Sequence, residues 1–265
     1  MAHSPRWLLA FVLASTAIFA QQPPELQSQP GESSSAPAIA DETPISPLQF
    51  AKNIVYDQKP IWTFPAKVAT GKHWKPVLVV ALGTAGLVAL DPYTEPYFHN
   101  EKRFGSYKTG PLRGRNTTLA VTLPPLAFYL TGLATHSTHA RNTGLLAAEA
   151  LVDSQVVGFV LKHAVGRLTP SDIPPGGNFR DTWFKYKGGF TNGGSFPSGH
   201  TASAFAVATV IAERYREHRW LPFVAYGTAA FLSLSRLPTQ AHFPSDLFIG
   251  GAIGYSISHF IVMRR

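Results

Sequence analysis

From residue 74 onward the chain alternates long apolar stretches with loops rich in glycine, proline and charge. The stretches cover about 74–90, 117–135, 143–165, 200–215, 221–235 and 246–263. Most are too long for strands and lack a period of two, so the pattern predicts helices. Asn116-Thr117, Asn142-Thr143 and Ser198 stand where helices would start, since a short polar side chain there can accept from the unpaired N–H groups of a first turn. Pro124-Pro125 predicts a kink or a split in the second helix. The expected fold is all-α, a bundle of about six main helices with shorter ones before or between them.

Two regions break this pattern. Residues 166–199 hold Pro170, Pro174, Pro175 and many glycines, and an irregular insertion of that length in a compact bundle is expected to form the rim or lid of a site. At the other end, Arg6 precedes the apolar run Trp7 to Ala20, followed by polar Gln21-Gln22, which describes a secretory signal. Residues 21–47 carry six prolines among Gln, Ser and Glu and cannot bury enough apolar surface to offset their ordering entropy. The expected division is a signal peptide over 1–20, a disordered linker over 21–47 and one folded domain over 48–265.

Composition narrows the partners. Hydrophobic residues make up 45% and charged residues 14% of the 265, an apolar balance that leaves the membrane question open. A net charge of +8 favours an anionic partner. Nucleic acid is not expected, because no basic run interleaved with aromatics occurs. Cysteine is absent, which excludes disulfides, thiolate metal sites and cysteine nucleophiles.

The chemistry concentrates in two segments. Pro197-Ser198-Gly199-His200 opens a helix whose free N–H groups and dipole favour an anion, with His200 in the first turn as a proton donor. The same four residues also describe a plain helix cap carrying an incidental histidine. In the second segment, Ser235 to Asp246, His242 and Asp246 lie four residues apart, so a carboxylate can orient an imidazole and leave its other nitrogen as a nucleophile. Arg236 offers a bidentate clamp for phosphate oxygens. A structural ion pair beside a buried histidine explains that segment equally well on its own. His136 and His139 form an H-x-x-H pair that, without further ligands, describes a surface loop rather than a metal site.

Taken together, in this order and spacing, the segments resemble the type 2 phosphatidic acid phosphatase (PAP2) superfamily, which includes class A acid phosphatases and vanadium-dependent haloperoxidases. The resemblance covers about residues 140–260. It implies a phosphatase, a phosphoric monoester hydrolase acting on a small phosphate monoester, a phospholipid or a polyprenyl phosphate or pyrophosphate. His242 would form a phosphohistidine, Asp246 would orient it, and His200 would protonate the leaving group and then activate water. Lys162, Ser198, Gly199 and Arg236 would hold the phosphate, with no metal or cofactor. Thr169 stands where the family pattern Lys-x6-Arg-Pro has arginine, and Arg167 or Arg180 is expected to reach in and compensate. Two other readings stay open: a weak or silent envelope protein of the same fold that binds anions, and a haloperoxidase that takes vanadate.

All three motifs fall at one end of a bundle of this order. Glu149, Asp153, Gln155 and Pro124-Pro125 interrupt the apolar stretches, which favours an exported protein in the periplasm or against the membrane over an integral six-helix enzyme. Glu149 and Asp153 share a helix face, with partners that the sequence does not name.

Overall fold

A computed structural model of the chain describes residues 42–99, 104, 110, 113–174, 176–185 and 194–265. The expected signal peptide, most of the expected linker and part of the 166–199 insertion lie outside the described residues. The described chain is all-helical, with seven long helices: α1 (Pro47–Ala69), α2 (Trp74–Phe98), α3 (Gly114–Ala134), α4 (Thr138–Val165), α5 (Gly199–Arg214), α6 (Leu221–Leu234) and α7 (Pro244–Phe260). Two short 3-10 turns cover Pro170–Asp172 and Val262–Arg264.

The centre of the bundle is α5, and small residues explain why. Ala202, Ala204, Ala206, Ala208 and Ala212 are all buried, with Val207 and Val210 among them. Alanines let neighbouring helices approach closely, and α5 packs against α4, α6 and α7. Gly254 on α7 marks the tightest approach, since a Cβ there would lie 2.0 Å from the carbonyl oxygen of Ala202. This close crossing brings the start of α5 beside the start of α7, and so His200 beside His242. A main-chain bond joins the two starts directly, from Ser198 N to the Asp246 oxygen at 3.0 Å.

Several elements differ from the pattern reading. The 23-residue α1 was not among the expected main helices, because the residues it buries fully are the polar Asn53 and Asp57, while its apolar face, with Phe50, Ile54 and Ile61, is only half-buried. Ser46 caps it by accepting from Gln49 N at 3.1 Å, with Pro47 at its first position. Pro124-Pro125 does not split α3, which runs unbroken over Gly114–Ala134. The fourth helix starts at Thr138 rather than after Asn142, capped by Ser137. Asn142 instead bonds the incoming chain, accepting from Ile45 N at 3.0 Å and donating to Thr43 O at 3.0 Å. His139, one half of the H-x-x-H pair, lies in the first turn of α4 and bonds Glu42 Oε1 at 3.1 Å.

Among the described residues, four stretches, Trp74–Phe98, Gly114–Ala134, Thr138–Asp172 and Pro244–Arg264, are long and apolar enough to cross a membrane. The outermost is α2, which turns Val79, Leu82 and Leu90 outward while Asp91 and Glu95 are fully buried. Apolar outside and acidic inside is the reverse of a water-soluble surface helix and suits a helix whose outer face meets lipid. The acids of α4 follow the same rule. Glu149 accepts from Asn53 Nδ2 at 3.1 Å and pairs with Arg265, while Asp153 accepts from Gln58 Nε2 at 2.8 Å. Because these groups face α1 and the C-terminus, they do not interrupt the outer surface of α4.

Candidate active site

A cavity of about 700 Å³ opens at the end of the bundle where α4 finishes and α5 and α7 begin. Lys162 and His163 line it from α4, Gly199 and His200 from α5, and Arg236 and His242 from the loop before α7. Thr169, Ser171 and Asp172 line its rim, and Val121, Leu151 and Phe159 line an apolar wall. The structure thus brings Lys162, Gly199, His200, Arg236 and His242 to one cavity. Asp246, Ser198 and Arg167 stand behind it.

His242 is buried, and its Nδ1 lies 2.8 Å from the carbonyl oxygen of Ser195. A carbonyl oxygen only accepts, so Nδ1 carries the proton and Nε2 keeps its lone pair. Asp246 Oδ2 is 3.8 Å from Nδ1, close enough for charge attraction but too far for a hydrogen bond. The carboxylate instead accepts from Phe243 N at 2.9 Å and from Arg167 Nη1 at 2.7 Å. Burial, followed by the positive charge of Lys162 and Arg236, pushes the His242 imidazole below its ordinary pKa, against the pull of Asp246. The ring therefore stays neutral at neutral pH, the state a nucleophile requires.

The Ser195 carbonyl is held in place by the chain around it. Ser195 N donates to Arg167 O at 2.8 Å and its hydroxyl to Leu168 O at 2.9 Å. Gly194 has φ +93°, and a Cβ there would lie 2.3 Å from Arg167 O, so only glycine fits. Lys162 Nζ donates to Gly194 O at 2.6 Å, which anchors the ammonium at the cavity wall.

His200 sits in the first turn of α5 with Nε2 3.0 Å from Thr118 Oγ1. The Thr118 hydroxyl donates to Gly114 O at 3.0 Å, so its oxygen accepts and His200 Nε2 donates. Burial first, then the charges of Arg236 and His242, pushes His200 down to about 3. Lys162 and Arg236 make the cavity electropositive, and a dianion placed in it would act against that shift. Arg236 Nη1 reaches Thr117 Oγ1 at 3.3 Å.

Two expected phosphate ligands are placed elsewhere. Ser198 is fully buried as the cap of α5, accepting from Thr201 N at 3.4 Å and from the Thr201 hydroxyl at 3.0 Å. Arg167 neither reaches into the cavity nor faces solvent. It is 1% exposed, and its guanidinium bonds Asp246, Ser245, Asp91 and Thr182. Arg180 bonds Tyr93 Oη at 2.8 Å, away from the cavity. The compensation expected for Thr169 is therefore not made by either arginine. Thr169 itself caps the 3-10 turn, with its N–H 2.8 Å and its hydroxyl 2.7 Å from Asp172 Oδ2.

Asp91, the Ser195 carbonyl and Thr118 were not among the expected site groups. Asp91 had a legible signal, as the first acid after a long apolar run, but Asp91-Pro92 reads as a helix end and the chain continues helical through it. Away from the cavity, Asp57, Glu149 and Asp153 offer oxygens within 4.8 Å of one another that could hold a metal ion. Arg265 already supplies a cation there, 3.2 Å from Asp57 and paired with Glu149.

An all-helical bundle with three histidines, a lysine and an arginine around one cavity at its end defines a class of anion-binding site suited to phosphoryl chemistry. Residues 143–264 match the family model of the PAP2 superfamily. The chain is 40% identical over 113 residues to a lipid A 1-phosphatase of Porphyromonas gingivalis, covering 42% of this chain and 21% of that protein. It is 34% identical over 120 residues to a lipid A 1-phosphatase of Rhizobium etli, covering 43% and 48%. A lipid A 4'-phosphatase of Bacteroides thetaiotaomicron is 32% identical over 117 residues, covering 42% and 51%. The match thus spans between about a fifth and a half of these relatives. No solved structure matches the chain significantly.

Proposed function

We propose that the chain is a membrane-embedded phosphatase that hydrolyses a lipid phosphate through a phosphohistidine on His242. The observation that carries this reading is the hydrogen bond from His242 Nδ1 to Ser195 O, which leaves an unprotonated Nε2 in a cavity walled by Lys162 and Arg236. In the first step the Nε2 lone pair forms an N–P bond as the P–O ester bond breaks, and the leaving oxygen takes a proton from His200. His200 can serve as acid because the bound phosphate dianion raises its pKa from the resting value of about 3. In the second step His200, now neutral, takes a proton from water, whose oxygen attacks phosphorus. The N–P bond breaks, its electrons return to Nε2, and phosphate leaves.

Lipid substrates are supported by the apolar wall of Val121, Leu151 and Phe159 beside the cationic groups, and by four stretches able to cross a membrane. The relatives are named for lipid A, and we assign lipid A, or a lipid phosphate like it, as the substrate, with the protein in the cell envelope. Purified full-length protein in detergent should release inorganic phosphate from lipid A, and His242→Ala should abolish release. Wild-type protein that releases none, or a His242→Ala variant that keeps its rate, would sink this reading.

A further inference from the structure

We propose that Asp91 and Arg167 are positioning residues that act through Asp246 on His242, so that α2, which lies before the matched segment 143–264, completes the site. This inference rests on the reading of His242 as the nucleophile.

The geometry is a chain of buried polar groups. Arg167 Nη1 donates to Asp246 Oδ1 at 2.7 Å, and Nη2 donates to Asp91 Oδ2 at 2.7 Å. Nε reaches Thr182 Oγ1 at 3.2 Å, and the guanidinium carbon lies 4.3 Å from the Trp183 ring centre and 3.9 Å from that of Phe243. Ser245, next to Asp246, donates its N–H to Asp91 Oδ1 at 3.2 Å and its hydroxyl to Asp91 Oδ2 at 2.5 Å. A planar fork fixed by hydrogen bonds through Nε, Nη1 and Nη2 and packed against two rings has one orientation, so it holds the Asp246 carboxylate in one orientation too.

Charge counting gives Asp91 a second effect. Arg167 alone would neutralise Asp246, leaving His242 beside the cations Lys162 and Arg236 with no opposing charge. With Asp91, one guanidinium is shared by two carboxylates, and the set keeps one net negative charge behind the imidazole. That charge favours the cationic form of the ring, which is also the form that develops when Nε2 binds phosphorus. Glu95, one turn further along α2, is buried beside the same set. Arg167 would make poor machinery for holding phosphate, because its donors point away from the cavity. It suits the task of holding the carboxylate that faces the nucleophile.

The test uses full-length protein in detergent micelles with lipid A as substrate. Asp91→Asn keeps the shape and removes the charge. It should lower kcat roughly tenfold or more with KM within about twofold, the signature of an interaction made in the transition state. It should also move the acid limb of the kcat/KM profile to lower pH, because His242 loses a stabilising negative charge and its pKa falls. Arg167→Lys, which keeps the charge but loses the fork, should lower kcat further. A folded Asp91→Asn protein with wild-type kcat and an unmoved acid limb would overturn the proposal. If Asp91→Asn does not fold, Ser245→Ala, which removes only a bridging hydroxyl, should move kcat and the acid limb in the same direction by less, and no movement overturns it. His242→Ala in the same assay separates the two levels. Activity that survives His242→Ala defeats the phosphohistidine reading, whereas activity that needs His242 but ignores Asp91 defeats only the positioning role.

Discussion

His242 Nδ1 lies 2.8 Å from the main-chain oxygen of Ser195 and 3.8 Å from Asp246 Oδ2. The tautomer of the proposed nucleophile is therefore set by backbone, and the carboxylate four residues on contributes charge and orientation. The usual division of labour, in which a carboxylate fixes the ring by a direct bond, is split here between two groups.

One consequence concerns Asp246→Asn. Because Ser195 still holds Nδ1–H, the ring should keep its tautomer, and imidazole ¹⁵N NMR should show Nδ1 protonated and Nε2 bare in both proteins. We expect kcat to fall about a hundredfold from the lost charge, well short of the roughly ten-thousandfold loss that follows when the tautomer is wrong. A variant with Nε2 protonated would contradict the role of Ser195.

The low His200 pKa makes stability depend on pH with a definite sign. The unfolded chain takes a proton on this ring below 6.5, while the folded protein resists it down to about 3. Across that window the unfolded state binds more protons, so folding stability falls as pH falls. Melting temperatures measured from pH 7 to pH 4 should decline, and His200→Gln should flatten the decline. Binding of inorganic phosphate near pH 6 should be accompanied by proton uptake that the variant lacks.

Thr169 offers a gain-of-function test. It lines the cavity and is bonded to Asp172, and no described arginine takes the place the family pattern gives to one. Thr169→Arg should tighten inhibition by inorganic phosphate about tenfold, the scale of one charge-assisted hydrogen bond. It should cost about 1 kcal/mol of stability through the lost cap. Unchanged inhibition would show that position 169 does not face bound phosphate.

Gly254 tests the framework that pairs the two histidine segments. A Cβ there would meet Ala202 O at 2.0 Å, so Gly254→Ala must push α7 from α5. A loss of about 3 kcal/mol is expected by chemical or thermal unfolding, together with a large loss of activity although the residue is far from phosphate. Wild-type stability would mean that the two helices are not packed this closely.

The order of helices and the two histidine segments were legible because they are local signals: long apolar runs, a cap serine, and fixed spacing between His242 and Asp246. What escaped was non-local or polar. α1 escaped because its prolines at 60 and 65 and its buried Asn53 and Asp57 mask an apolar face that is only half-buried. The partner of His242 Nδ1 is a main-chain oxygen 47 residues away, which no residue type announces. Arg167 was expected on the phosphate to compensate for Thr169, but its direction depends on Asp91, 76 residues earlier. Acids inside apolar runs read as interruptions of membrane spans, and in the fold they face inward.

The most direct test of the proposed chemistry is rapid acid-free quenching of full-length protein during turnover of ³²P-labelled lipid A, followed by peptide mapping. Label bound to His242, stable in base and lost in acid as an N–P bond is, and absent from His242→Ala, is the expected result. Turnover with no protein-bound label under conditions that slow the second step, or label on a different residue, would contradict it.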